Sequence, residues 1–209
     1  MTNEDILKVI KFHKLCTKLK NLERTGWKIW KVEGTRVESV AEHIFGCCML
    51  AVAIMSANKN HGLDENKVLS MLTLHECEEI FIGDMVPYQG EAYKNKTEIS
   101  KPLTTKFFAE FGLPNNFKNL LDEFECGETD EAKFCLKIDK LEADLQAYLY
   151  EDNINYEKVN KEIFEKESIK KAISEGGTCL GDYFSNNDSK FFDDDFKQIV
   201  AIAKEFYKK

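Results

Sequence analysis

The chain has 209 residues, 43% of them apolar, enough for one domain with a substantial core. Its formal net charge of −8 and pI near 5.2 argue against a nucleic-acid polymer as partner, since no basic face stands out; a small phosphorylated ligand needs only one well-placed cation. Seven cysteines (Cys16, Cys47, Cys48, Cys77, Cys126, Cys135, Cys179) show no C-x-x-C spacing, the N-terminal stretch has no signal-type apolar block, and no run approaches the roughly 18 apolar residues of a membrane span. A protein of the reducing cytoplasm with no membrane role is therefore expected.

With three prolines and eleven glycines, breakers are scarce and helical periodicity dominates. Ile6, Val9, Ile10, Leu15, Leu19 and Leu22 recur at three- and four-residue spacings and predict an amphipathic first helix. The stretch GWKIWKVEGTRV breaks that pattern and reads as a connector, its Trp27 and Trp30 serving as core or exposed interface aromatics. Ser39 and Glu42 then form a capping box for a helix that runs to about Asn60 and carries His43, Cys47, Leu50 and Ile54 on one face. Asp64 caps the next helix, DENKVLSMLTLHECEEIF, which puts Val68, Leu72, His75 and Glu79 on one face.

A loop marked by Gly83, Pro87 and Gly90 follows, then a helical stretch around 98–111 and a short helix in GLPNNFKNLLDEFECGETD. In the most regular segment, DEAKFCLKIDKLEADLQAYLYED, a core stripe of Phe134, Ile138, Leu141, Leu145 and Tyr148 has Asp139 at its border. Further helices are expected at 156–172 and 190–208, separated by the loop GGTCLGDYFSNNDSK, with the acidic DDDF at 193–196 capping the last. The expected architecture is a single all-α domain over residues 1–209.

Three of these helices carry candidate metal ligands on or beside a buried face: His43, the pair His75–Glu76, and Asp139. Two imidazoles and two carboxylates form a mixed nitrogen and oxygen set that suits Mn, Fe, Co, Ni or Zn. Taken singly, His43 reads as a core histidine and Asp139 as a half-exposed polar edge. The cluster around His75 reads differently, because Glu76 and Glu79 would repel strongly in a half-buried site without a cation. Glu78 points elsewhere on the helix and reads as solvated.

The order of these pieces adds to their content. LERTGW (22–27), ESVAEH (38–43), LHECEEIFIGDMVP (74–87) and EAKFCLKIDKLEADLQAYLYED (131–152) together resemble the HD-domain metal-dependent phosphohydrolases and, more narrowly, their 5′-deoxynucleotidase branch. The resemblance covers about residues 1–152, and the second signature, normally His–Asp, is His–Glu here. It implies a helical HD-type domain holding one divalent metal ion, with Mg also a candidate, through His43, His75, Glu76 and Asp139. It implies Glu79 as the catalytic carboxylate beside the attacking water, Arg24 on the substrate phosphate, Trp27 near that arginine against the sugar, and Asp84 shaping the nucleotide pocket. The implied reaction is hydrolysis of deoxynucleoside 5′-monophosphates to deoxynucleoside and phosphate. The branch often forms dimers, which makes a second copy of the chain a candidate partner.

The chemistry of the residues agrees with these roles. A divalent cation lowers the pKa of a bound water toward about 7, a nearby carboxylate can move the proton, and arginine offers a planar fork of donors to phosphate. HECEE also matches the start of the H-E-x-x-H zinc-protease motif, but Glu79 stands where the second histidine belongs. The alternative from another class is an HD-type nucleotide-binding or regulatory module impaired in catalysis, for which the His–Glu pair is the relevant departure.

Overall fold

A computed structural model describes residues 1–59, 61–86, 90, 93, 95–111 and 115–207, with the backbone alone at 97 and 115. The expected chain position of Asn60 and the loop residue Pro87 lie outside the described residues. The all-α expectation holds: among the described residues there are helices and two isolated bridges, Glu23 with Ser39 and Val32 with Ile154, and no strand. Contacts gather the chain into two compact units, Met1–Thr25 with Glu38–Lys133, and Gly26–Val37 with Phe134–Lys209.

In the first unit, α1 (Asn3–Cys16) opens on a capping box between Thr2 and Asp5. Its apolar stripe is only partly used. Ile6, Val9 and Ile10 are exposed, whereas Phe12, Leu15 and Cys16 pack against the core. The Ser39–Glu42 capping box forms as read, with the Glu42 amide donating to Ser39 Oγ (3.3 Å) and the Ser39 amide to the Glu42 carboxylate (2.8 Å). It starts α3 (Val40–Ala57), which buries Val40, His43, Cys47, Ala51 and Met55 along one side. Asp64 caps α4 (Glu65–Leu74) by accepting from the Lys67 amide at 3.0 Å.

The continuous helix expected through residue 81 breaks at Leu74, and residues 75–78 form a turn before α5 (Glu79–Ile82). The His75 ring supplies the reason. Its Nδ1 donates to the Leu72 carbonyl at 2.7 Å, the group a continuing α-helix would offer to the amide of residue 76. The following amides bond three residues back instead, Cys77 to Leu74 (2.8 Å) and Glu79 to Glu76 (3.1 Å). Two longer helices, α6 (Lys96–Phe111) and α7 (Asn115–Cys126), complete this unit with the first turn of α8 (Asp130–Tyr150). The core joins Leu19, Val40, Cys77, Ile80, Phe107, Phe108 and Leu121, with Phe12 stacked on Phe107 at 5.4 Å. Each large aliphatic or phenyl group removed from water there contributes about 1.5–3 kcal/mol before conformational entropy is counted.

In sequence, α3 was not singled out as membrane-like, yet its 18 residues have a mean hydropathy of 1.8, long and apolar enough to cross a membrane by length and composition. Its buried side carries His43 and packs on α4, though only 28% of the helix is buried, and one such helix is weak evidence for a span.

The second unit differs from expectation in three places. The segment read as a connector begins with a short helix, α2 (Thr25–Ile29), and both its tryptophans are enclosed, Trp30 completely. Trp30 packs against Phe164, Tyr183 and Phe184, which corrects its reading as an exposed interface aromatic. An indole contributes more when its large apolar area leaves water.

The single helix expected over 156–172 is instead a 3-10 turn (Tyr156–Lys158) and two short helices, α9 (Lys161–Phe164) and α10 (Glu167–Ser174), and the stretch read as a loop contains α11 (Leu180–Asp188). Tertiary contacts make this helix. The Leu180 amide donates to Glu151 at 2.9 Å, and Gly181 lies against the ring of Tyr148. The last helix, α12 (Asp194–Tyr207), starts as read, with the Phe196 amide donating to Asp193 at 3.1 Å. On α8, Phe134, Ile138, Leu141 and Tyr148 are buried as predicted and Leu145 is half-buried.

A Cβ at position 181 would stand 2.4–2.5 Å from three atoms of the Tyr148 ring, whose hydroxyl is tied to Asp182 at 3.1 Å. Gly181→Ala is therefore expected to cost about 1–3 kcal/mol of stability. Urea denaturation measures this, and an unchanged midpoint would contradict the packing.

Candidate metal centre

The site in the first unit begins with backbone registry. Val40 donates its amide to the Leu22 carbonyl (2.8 Å) and Arg24 to that of Glu38 (3.0 Å), so the LERT stretch lies antiparallel to the chain entering α3. That registry holds the Arg24 guanidinium beside two carboxylates, 4.0 Å from Glu38 and 3.5 Å from Glu76, all three side chains largely out of water. The capping box fixes where α3 starts, which puts His43 on its buried side and Cys47 one turn later.

His75 follows directly on α4, with its ring 5.5 Å from that of His43 and 5.4 Å from that of Phe124. A carbonyl can only accept, so the bond to Leu72 puts the proton of the neutral ring on Nδ1 and leaves the Nε2 lone pair as the donor toward a metal. Ligand atoms of His43, Cys47 and His75 lie within 4.8 Å of one another, and all three residues are buried. Two imidazoles and a thiol fit a divalent transition metal by donor chemistry.

Carboxylates crowd beside this group. Glu76 stands 3.9 Å from His75 Nε2 and is shared with Arg24. Lys96, at the start of α6, reaches Glu78 (2.9 Å), Glu79 (3.7 Å) and Glu76 (4.0 Å). Glu78 is thus half-buried and ion-paired, which corrects its reading as a solvated residue. Burial acts to lower the Lys96 pKa, but Glu76, Glu78 and Glu79 together raise it above the ordinary lysine value. Glu79 is 2% exposed, and its Oε2 accepts no hydrogen bond among the described residues. Burial, with repulsion from Glu76 and Asp84, pushes its pKa up to about 10 against the pull of Lys96 and Arg24.

Gly83, at φ 77°, closes α5 in a conformation that glycine adopts freely and turns the chain toward Thr25. The buried Asp84 carboxylate accepts the Thr25 amide, and the Thr25 hydroxyl donates to the Asp84 carbonyl at 3.0 Å. Asp84 therefore fixes the residue next to Arg24. The remaining two predicted site residues belong to the second unit. Asp139 is half-buried on α8, and Trp27 has its ring enclosed, edge-on to Tyr150 (5.1 Å) and stacked on Phe184 (5.8 Å).

Two residues that sequence reasoning left out belong to this neighbourhood. Cys47 carried a usable signal, its four-residue spacing from His43 on one helix face. Lys96 carried none, because its return to the carboxylates depends on how α6 packs on α5.

Comparison with known proteins shows the family to which the chain belongs. The HD domain family matches residues 16–176. The chain is similar to the 5′-deoxynucleotidase HDDC2 of Dictyostelium discoideum, at 31% identity over 68% of this chain and 77% of that protein. The human protein of the same name is 29% identical over 69% of each. A solved structure from Pyrococcus horikoshii has a TM-score of 0.63 at 26% identity, over 95% of this chain and 97% of that one.

Glu79 generates a test of the site's electrostatics. Its pKa in the folded chain is raised above the ordinary value of 4.5, so the stability it contributes is complete below about pH 4.5 and is lost as pH rises through about 10. Glu79→Gln removes that loss. In EDTA at pH 8 the variant is expected to melt above the parent protein, by about 2–4 °C for each kcal/mol recovered, and the gap should close toward pH 4.5. A gap independent of pH would contradict the assignment.

Proposed function

Because the chain belongs to the HD domain family, we propose that it is a metal-dependent phosphohydrolase that converts 5′-deoxynucleoside monophosphates to deoxynucleoside and phosphate. The observation that carries this reading is the meeting, inside one unit, of His43 and His75 with the Arg24–Glu76 pair and the buried Glu79. Names of the relatives supply the substrate class.

In this reading His43, His75 and Glu76 hold one divalent ion, drawn from Mn, Co, Fe, Ni, Zn and Mg, together with Asp139, which the family resemblance assigns. Such an ion, when bound, makes water a competent nucleophile at neutral pH and polarises a phosphoryl oxygen. Glu76 has one methylene more than the aspartate usual in the family, and its carboxylate is chemically able to ligate.

The chain's own groups do the rest. Arg24, preset by its backbone N–H donating to the Glu38 carbonyl and by its ion pairs, offers its guanidinium to the substrate phosphate. Asp84 holds Thr25 and so the stretch bearing Arg24. Glu79, a buried carboxyl whose pKa its surroundings raise, is suited to pass a proton between water and the leaving nucleoside oxygen. Trp27 enters as the residue the resemblance assigns near Arg24, with its ring packed among aromatics.

The reading also includes a homodimer, no nucleic-acid polymer and a cytoplasmic setting. Phe45, Met49 and Val52 form an exposed apolar row on α3 that a second copy would cover, the net charge is −8, and the cysteines form no disulfide among the described residues.

Phosphate release from matched ribo- and deoxyribonucleoside 5′-monophosphates with Mn²⁺, Co²⁺ or Mg²⁺ tests the function. Release is expected from the deoxy series, to fall about 10²–10⁴-fold in Glu79→Ala, and in Arg24→Ala to need higher substrate concentration. Binding without turnover by the parent protein would instead favour a regulatory module.

A further inference from the structure

The third donor beside the two histidines is Cys47. Its Sγ lies 3.6 Å from His43 Nε2 and 3.8 Å from Nδ1, and the residue is completely buried. One turn of helix separates the two residues, so a single rigid element sets this distance. Ligand atoms of Cys47, His43 and His75 all lie within 4.8 Å of one another in a buried cluster, near enough to face one ion.

We propose that Cys47 is a thiolate ligand of the metal centre, making it a sulfur-containing site selective for tetrahedral ions such as Zn²⁺ or Co²⁺ over Mg²⁺. The proposal rests on the metal-binding reading above and adds to it a ligand and a metal preference. A soft sulfur donor favours Zn²⁺ and Co²⁺, whereas Mg²⁺ takes hard oxygen ligands in octahedral geometry. Ligation exchanges the thiol proton for the metal, and that proton leaves to solvent. The neighbouring Cys48 faces elsewhere, its Sγ 3.9 Å from Thr73 Oγ1, and serves as the internal control.

The test is cobalt substitution of the full-length protein, read by absorption rather than by turnover. Metal-free protein is titrated with Co²⁺ and its visible d–d bands and near-ultraviolet sulfur-to-cobalt charge-transfer band are recorded. The parent protein should show both. Cys48→Ser should keep both, and Cys47→Ser should keep the d–d bands and lose the charge transfer. Zn²⁺ affinity should drop about tenfold or more in Cys47→Ser, since even groups that only hydrogen-bond to metal ligands carry 10–100-fold effects. Mg²⁺ affinity should change less.

Cobalt bound by the parent protein without charge transfer would overturn the role of Cys47 and leave the metal reading standing; this holds whether or not the variant folds. Charge transfer that survives in Cys47→Ser would also overturn it. No cobalt bound at all would overturn both.

Discussion

Within the stretch from Glu76 to Asp84 and its neighbour Glu38, five carboxyl groups lie mostly out of water, while two protein cations, Arg24 and Lys96, stand among them. At about 4 Å and an effective dielectric near 20, each unlike pair is worth on the order of 4 kcal/mol. The excess of negative charge has few outlets. One is protonation, and Glu79 takes it, with a pKa pushed to about 10. Another is a divalent cation beside the carboxylates, where two imidazoles and a thiol already converge. Charge balance thus points to the same place as donor geometry.

The rest of the first unit serves that balance. A capping box sets the start of α3, and through it the direction of His43 and Cys47. The ring of His75 ends α4 by taking the Leu72 carbonyl, and the tightened turn that follows carries Glu76 and Glu78 to Lys96 and Arg24. Gly83 then turns the chain so that Asp84 can hold Thr25. Structure and chemistry share one cause here: the histidine proposed to offer a lone pair to metal is the residue that breaks the helix.

Much of this was legible in the sequence where the signal was local. The caps at Ser39, Asp64 and Asp193, the α8 stripe, and the candidate ligands His43 and His75 follow from spacing and side-chain type. Signals that depend on tertiary contact were not legible. Helix α11 hid in a stretch rich in Gly, Asn and Ser because its cap comes from Glu151 and its fit from Tyr148. Trp30 stood open between core and interface because nothing nearby in sequence names its partners Phe164 and Tyr183. Glu78 looked solvated because Lys96 lies well beyond it in the sequence. The His75 turn was missed because the hydrophobic period continues straight through it.

The central claim is that buried imidazoles and carboxylates of this unit are organised around one divalent cation. Metal content measured by mass spectrometry, after exposure to Co²⁺ or Zn²⁺ and removal of unbound ions by gel filtration, tests it most directly. The account predicts one equivalent per chain in the parent protein and loss of that equivalent in folded His75→Ala. A parent protein that retains no stoichiometric metal, or a His75→Ala variant that retains all of it, would contradict the account.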